Sequence, residues 1–261
     1  VIMMHVLVVG SGIAGLSSAY HLLKHSPSIR VTIVEASSVC GGHSKTIVHE
    51  NELVDLGFQV FNRETYPTLC SIYADLGIVP VPSDMSFATE LNGFCVKYGS
   101  NLLPFVKWLL RSPSEVVDFV LSKSNFHSHA LSALANAGAF PSTLGEFFAG
   151  YSPVFYQRWI VPFASAVWSL RESEVAEFDV QTFLRFMLNH GFLSWSTLPW
   201  LTLRGGAQEE VDSFLRYFEK CGDRARVLTN TRAVRWVPEA KQLVVVDGTS
   251  GKEQVLSCTH M

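Results

Sequence analysis

The sequence contains few cysteines, and none of them is paired. The five cysteines are scattered, with no Cys-x-x-Cys pair and no histidine at ligand spacing, so the sequence predicts neither a zinc site nor a disulfide framework. We therefore expect a reducing compartment and an intracellular, cytoplasmic location. Lysine and arginine form no tract, and the formal net charge is -3. This charge pattern argues against nucleic acid as a partner.

The sequence also lacks apolar runs long enough to cross a membrane. The run over residues 1–9 is too short and leads into a glycine turn rather than a cleavage site. The apolar segment 102–110 is interrupted by Lys107 and followed by Arg111, which favours a core helix or a peripheral membrane contact over a span. Because the chain begins with Val1 rather than Met, we expect residues upstream of it.

A strand, a glycine turn and a helix open the chain. Residues 5–9 are apolar and β-branched, residues 13–24 have helical apolar spacing, and residues 30–35 indicate a second buried strand. Two parallel strands joined by a crossover helix predict an α/β fold with a doubly wound sheet. With 261 residues and 48% hydrophobic content, the chain is long and apolar enough to bury a substantial core.

Changes of pattern along the chain predict a domain interrupted by another. After Pro82 the sequence becomes largely aromatic and helical, and strand-like stretches return after Pro199. We therefore predict a dinucleotide-binding domain formed by residues 1–82 and 199–261. A helical substrate-side domain is predicted between them, at residues 83–198.

Three glycines between the first strand and the helix fit the pattern G-x-G-x-x-G in the context that this motif requires. Gly10 permits a tight turn, Gly12 leaves no side chain between the backbone and a diphosphate, and Gly15 lets helix and strand approach closely. The start of the helix offers free N–H donors and a positive dipole end to the diphosphate. Glu35 follows about twenty residues on, where it can accept hydrogen bonds from ribose hydroxyls and would repel a 2′-phosphate. The motif predicts a dinucleotide site.

A second glycine pair indicates which dinucleotide is bound. Gly41, Gly42 and His43 follow Glu35 closely, and nicotinamide-binding domains do not need such a pair. The stretch from Glu35 to Thr46 resembles the extended fingerprint of FAD proteins of the glutathione-reductase and amine-oxidase type, in which a second loop returns along the cofactor. An NAD-dependent dehydrogenase stays open as an alternative, although the glycine pair argues against it.

Several further segments carry a narrower resemblance. In chain order they are GGHSKT, DLGFQVFNRETYP, SDMSF, WIVPFASAVWS and LPWLTLRGGAQEEV. They are similar to a family of FAD-binding oxidoreductases related to flavin-containing amine oxidases, which includes the flavoprotein module fused to plant cyclopropane-fatty-acid synthases. The resemblance runs from Val6 to about His260. It implies a Rossmann-like FAD-binding domain of the glutathione-reductase type, interrupted by a mostly helical substrate domain.

The resemblance also implies cofactor-binding residues. Residues 10–15 would face the diphosphate, residues 35 and 36 the ribose end, residues 41–43 the second loop and residues 57–60 the isoalloxazine ring, while residue 234 would contact adenine through its backbone. The implied residues are Gly10, Ser11, Gly12, Ile13, Ala14, Gly15, Glu35, Ala36, Gly41, Gly42, His43, Gly57, Phe58, Gln59, Val60 and Val234. The pattern assigns no catalytic residue and no metal ligand.

The chain departs from the family pattern at three places. Amine oxidases usually carry arginine where this chain has His43, which disfavours amine oxidation. The later Gly-Gly pair is followed by Ala207 instead of serine, so we expect a polar contact to be missing. The chain stops at Met261, before the second half of the family, so we expect an incomplete flavin pocket without the lysine that could hold a water near flavin N5.

The resemblance implies a flavin-dependent oxidoreductase that takes a hydride from a small molecule. The aromatic middle region favours an apolar or lipid-like substrate, with amines as an alternative. A truncated or accessory flavin-binding module without activity is the alternative of another class.

Other conspicuous residues receive structural interpretations. His127 and His129 are predicted to lie in a solvated loop rather than to bind metal. Most of the aromatic residues between 151 and 168 are predicted to pack in a core, and Cys40 is predicted to be a small buried residue.

Overall fold

Two units make up the computed structural model of this chain. The structure describes residues 4–57, 59–84, 87–91, 94–98, 103–136, 140–193 and 198–261, with the backbone alone in 87–91 and 94–98. One unit, here called the Rossmann unit, consists of Val1–Pro82 and Leu201–Met261, and the other, here called the helical unit, is Ser83–Trp200.

The first part of the Rossmann unit begins with the predicted strand, helix and strand. Its elements are β1 (Met4–Val9), α1 (Ile13–His25), β2 (Ile29–Val34), β3 (Thr46–His49), β4 (Glu52–Asp55), α2 (Pro67–Leu76) and β5 (Val81–Pro82). β1 and β2 are parallel and in register over their whole length, which confirms the predicted crossover unit. β3 and β4 form an antiparallel hairpin, whose turn residues Glu50 and Asn51 both have positive φ.

The helical unit contains a strand pair that the sequence pattern did not indicate. Its elements are β6 (Phe87–Leu91), β7 (Phe94–Tyr98), α3 (Leu103–Arg111), α4 (Pro113–Ala135), α5 (Leu144–Phe147), α6 (Pro153–Phe155), α7 (Val161–Trp168), α8 (Glu172–Val175) and α9 (Val180–Asn189), with a π-helical turn at Tyr156–Ile160. β6 and β7 pair antiparallel within a region that is otherwise mostly helical, as predicted. Among the described residues, no helix is long and apolar enough to cross a membrane.

The prediction of a solvated loop around His127 and His129 is wrong. Both residues lie on α4, which continues to Ala135. Phe126, Ala130 and Ala133 are fully buried, and this spacing gives the helix a continuous core-facing stripe. His127 lies on the exposed side of the helix, whereas His129 is half-buried and stacks on Phe147 at a centroid distance of 4.4 Å; a local polar pattern does not distinguish such a helix from a loop.

The second part of the Rossmann unit completes two sheets. Its elements are β8 (Leu201–Thr202), α10 (Gln208–Lys220), β9 (Ala225–Leu228), β10 (Thr231–Val237), β11 (Gln242–Asp247) and β12 (Glu253–Ser257). β9 adds to β2 in parallel, giving the sheet order β1-β2-β9, and β10, β11 and β12 form an antiparallel sheet. β8 pairs with β5, which joins the two parts of the unit.

The parallel sheet is the middle layer of three. On one side, Val31 and Ile33 pack with α1 and α10, whose buried residues include Leu16, Tyr20 and Phe214. On the other side, Leu7 and Val34 pack with Leu243 and Val245 of the antiparallel sheet. Successive strand residues point to opposite faces, so strands apolar on both faces are buried between two layers. This arrangement confirms the predicted α/β, Rossmann-like fold class.

The core of the helical unit is aromatic. Trp159 and Phe163 are buried, while Tyr151, Tyr156 and Trp168 pack at the edge of the same cluster. This confirms the prediction that most of these rings are core residues. Edge-to-face contacts, such as that of Trp108 with Phe119 at a centroid distance of 5.3 Å, are the arrangement that ring quadrupoles favour.

The hairpin β3–β4 caps the start of α10. Asp55 Oδ1 accepts a hydrogen bond from the N–H of Ala207 at 2.8 Å, and Thr46 Oγ1 accepts one from the N–H of Gln208 at 2.9 Å. Thr46 also donates to Asp55 at 2.6 Å. The Ala207 side chain is buried and supplies no polar atom, but two of the free N–H groups of the helix are satisfied from the hairpin.

Replacing Asp55 with alanine is therefore expected to destabilise the Rossmann unit. Loss of a capping carboxylate costs about 1–2 kcal/mol, and this cap also joins two segments distant in sequence. Urea unfolding of Asp55→Ala and wild type measures the change. Asp223→Ala is the control because Asp223 is exposed; equal losses in the two variants would contradict the capping role.

Candidate functional site

The turn between β1 and α1 presents bare backbone at a helix start. Gly10 has a φ of +92° and donates its N–H to Val34 O at 2.8 Å. Gly12 precedes the helix in extended conformation and provides no side-chain cap. A Cβ added at either glycine would meet no atom within 4 Å. The turn therefore leaves room beside the first N–H groups of α1, the kind of place that suits an anion.

Gly15 lies where the helix touches the strand end. A Cβ there would lie 2.0 Å from Gly10 O and 3.4 Å from Val8 Cγ1. Such a distance is impossible for a real side chain, so α1 can approach β1 this closely only with glycine at this position.

Glu35 lies directly against the turn. Its Oε2 accepts hydrogen bonds from the N–H and the hydroxyl of Ser11, at 2.8 and 2.6 Å, and its Oε1 accepts one from the N–H of Ser37 at 2.8 Å. Burial raises the pKa of Glu35, but the hydrogen bonds from Ser11 and Ser37 outweigh it and hold the pKa below its usual range. Glu35 is therefore an ionised acceptor at neutral pH.

The second glycine loop packs on the first. The N–H of Gly41 donates to Ser11 O at 3.0 Å, and Gly12 and Gly41 form a parallel bridge. Gly42 has a φ of +60°, and a Cβ on it would lie 3.0 Å from the Gly12 Cα. His43 beside it is exposed, and Cys40 is buried as predicted. The structure thus brings together residues 10–15, Glu35 and residues 41–43.

Residues 57–60 begin in contact with the second loop. A Cβ on Gly57 would lie 1.7 Å from His43 O, so the two backbones are in direct contact. Gln59 O accepts a hydrogen bond from Thr202 Oγ1 at 2.8 Å, and Val60 is half-buried. Phe58 lies outside the described residues.

The remaining predicted residues are Ala36, which lies shortly after β2, and Val234, which lies in β10. Ala36 is exposed directly after Glu35. Val234 is 55% exposed and lies at a break in the register between β10 and β11, where the pairing passes from Ala233 to Arg235. Its backbone groups are therefore outside the regular ladder. β10 begins at Thr231, whose N–H donates to Glu35 O at 2.8 Å.

A buried carboxylate beside the second loop escaped the sequence interpretation. Glu210, only 2% exposed, accepts hydrogen bonds from Ser44 Oγ at 2.5 Å and from Tyr73 Oη at 2.6 Å. Burial raises its pKa above the usual range, against the opposing effect of the two hydrogen bonds. The signal that could have found it is spacing: Glu210 shares the i, i+4, i+8 row with the buried Phe214 and Phe218.

Gly15→Ala is expected to disrupt the turn and destabilise the Rossmann unit. The added methyl group would collide with a backbone oxygen, which cannot rotate away as a flexible side chain can. Thermal unfolding followed by circular dichroism measures the loss. Ser18→Ala, at an exposed position of the same helix, is the control, and an unchanged midpoint for Gly15→Ala would refute the close contact.

Glu35 is expected to stabilise the fold in a pH-dependent way. Because its pKa is lowered on folding, its stabilisation is fully present above the unfolded pKa and is lost as the pH falls through the folded pKa. The free energy of unfolding of wild type should therefore exceed that of Glu35→Gln at neutral pH, and the difference should vanish in acid. Denaturant unfolding of both proteins across pH checks this; a constant difference would show that the charge is irrelevant.

Comparisons with known proteins show similarity over parts of this chain. The model of the NAD(P)-binding Rossmann-like domain family matches residues 8–76. Coproporphyrinogen III oxidase from Staphylococcus aureus (strain NCTC 8325 / PS 47) is 30% identical over 121 residues, which are 45% of this chain and 24% of that protein. L-amino-acid oxidase from Siganus canaliculatus is 35% identical over 102 residues, which are 39% of this chain and 15% of that protein.

The fold extends the likeness to nearly the whole chain. A variant of putrescine oxidase superposes with a TM-score of 0.64 at 16% identity, covering 97% of this chain and 56% of that protein. The chain thus spans a little more than half of this structural neighbour and less than a quarter of the relatives that match in sequence. Residues 8–76 are therefore similar to the NAD(P)-binding Rossmann-like domain family, and the predicted resemblance to amine-oxidase-like proteins is confirmed at the level of the fold.

Proposed function

We propose that this chain is the FAD-binding part of a flavin-dependent oxidoreductase, which takes a hydride from a small organic substrate. The observation that carries the proposal is the open, side-chain-free start of α1 with the ionised Glu35 bonded to the same turn. When bound, FAD supplies the hydride acceptor, and the protein supplies position and electrostatics.

The first loop would hold the diphosphate. The N–H groups of residues 13–15 and the positive end of the α1 dipole complement its charge, and the bare Cα positions of Gly10 and Gly12 let it approach. Glu35 would accept hydrogen bonds from the ribose hydroxyls, a role that its lowered pKa supports at neutral pH. Ala36 and the bulged backbone of Val234 follow at the adenosine end.

The second loop favours FAD over a nicotinamide cofactor. Gly41, Gly42 and His43 pack on the first loop, and the backbone of Gly57 contacts that of His43. This backbone path would lead along an extended dinucleotide, with residues 57–60 beside the isoalloxazine ring. The implied FAD-binding residues of the two loops and of residues 57–60 would then form one connected surface.

For the substrate we propose an apolar or lipid-like molecule. The helical unit carries a cavity of about 260 Å³ whose lining includes Phe148, Tyr151 and Tyr156, and aromatic walls suit apolar groups. On α3, Leu103, Val106 and Leu110 are exposed, which supports a peripheral membrane contact. The cytoplasmic location stays a prediction from the scattered cysteines.

The colour and reduction of the purified protein test the proposal. Protein that retains flavin absorption, and loses it on addition of an oxidisable donor without air, supports the oxidoreductase. Flavin that binds but is never reduced by substrate would favour the accessory module without activity. A preference for nicotinamide nucleotides over FAD in a binding titration would overturn the proposal.

Gly12→Ala separates cofactor binding from folding. Its φ of -67° suits alanine and its Cβ position is open, so we expect wild-type stability. The methyl group would occupy the space of the diphosphate, so FAD affinity should fall about tenfold or more, as expected for losing more than 1.4 kcal/mol. Fluorescence titration with FAD and thermal unfolding measure the two effects; unchanged affinity would exclude this loop as the diphosphate site.

A further inference from the structure

We propose that Glu210 is a positioning residue that holds the second glycine loop against the first and thereby sets the affinity for the dinucleotide. This inference rests on the proposed function. It concerns a residue 166 positions away from the loop residue that it binds, Ser44. Glu210 is not part of either glycine loop, and it is distinct from Glu35, the acid that follows β2.

Two adjacent residues of α10 contact the second loop. Glu210 accepts the hydrogen bond from Ser44 Oγ. The next residue is Val211, and a Cβ added to Gly41 would lie 3.0 Å from Val211 Cγ2. The N–H of Ser44 donates to Gly41 O at 3.0 Å, so the two contact points close one tight turn. The position of α10 therefore defines the position of that turn.

This turn packs on the first glycine loop, the proposed diphosphate site. Gly41 donates to Ser11 O, and a Cβ on Gly42 would approach the Gly12 Cα to 3.0 Å. Since Gly12 forms the floor of the proposed diphosphate site, a shift of the second loop changes the space above that floor. Ser11 in turn donates to Glu35, so the same shift reaches the proposed ribose contact.

The contact is strongest when Glu210 is an ionised carboxylate. Ser44 and Tyr73 both direct O–H donors at Glu210, and an ionised carboxylate is a group that only accepts. Hydrogen bonds to a charged acceptor are stronger than neutral ones. A protonated Glu210 would carry no charge and one O–H of its own, so one of the two hydroxyls would have to turn and accept, and the contacts would be weaker.

The surroundings of Glu210 make this protonation accessible. Tyr73, itself 1% exposed, has its pKa raised by burial and by the nearby Glu210 carboxylate, so it stays a neutral donor. Electrostatic effects of Cys70 and Glu209 also raise the pKa of Tyr73. Burial leaves Glu210 with a raised pKa, so the contact should weaken as the pH falls through that value.

The test combines hydrogen–deuterium exchange with FAD titration on four proteins. They are wild type, Glu210→Gln, Ser44→Ala and the control Glu219→Gln, which alters an exposed acid on the same helix. We expect faster exchange at amides 41–44 in Glu210→Gln and Ser44→Ala but not in the control. FAD affinity should fall about tenfold, the effect of losing one hydrogen bond to a charged group.

A pH series distinguishes positioning from a merely structural role. The FAD affinity of wild type should fall towards that of Glu210→Gln as the pH is lowered through the raised pKa of Glu210. The ratio of the FAD affinities of wild type and Glu219→Gln should stay constant over the same pH range. Unchanged exchange and affinity in both loop variants would overturn the inference. If wild type binds no FAD, the proposed function fails, but the exchange contrast at 41–44 still decides whether Glu210 positions the loop.

Discussion

The close approach of α1 to the end of β1 is the contact on which the site depends. Gly15 lies so near Gly10 that no Cβ fits between them. This contact brings the helix start, with its unsatisfied N–H groups, directly over the turn that follows the strand. Burial of Leu16, Tyr20 and Leu23 against the sheet keeps the helix in that place. The open helix start that the proposed diphosphate site needs therefore follows from packing behind it as much as from the turn itself.

Polar contacts then order the second loop around this centre. Glu35 satisfies Ser11 from the β2 side, and Gly41 bonds to the same residue from the second loop. Glu210 and Val211 hold that loop from α10, and Asp55 caps the helix that carries them. These contacts join both parts of the Rossmann unit, although the helical unit lies between them in sequence.

The interruption of the Rossmann unit has a simple physical basis. β8 pairs with β5 on the other side of the inserted region, so the chain leaves and re-enters at adjacent strands. An insertion between paired strand ends leaves the three-layer core undisturbed.

Local patterns were sufficient for the elements that carry their own signal. The opening βαβ unit, the hairpin β3–β4 and the helix α10 follow from apolar period, turn residues and glycine positions. Patterns failed where two structures share one local signal. The outer face of α4 resembled a loop around His127, and the pair β6–β7 resembled part of a helical region.

The sequence by itself determined the glycine turn, the acid that follows it and the α/β fold, because these depend on residues close together in the chain. Only the tertiary structure revealed that Ser44, Tyr73 and Glu210 converge, because three elements distant in sequence must fold before their side chains meet. The same holds for the cap that Asp55 provides to α10. A buried acid in a helix has no local signature of its partners, since the packing that buries it also selects them.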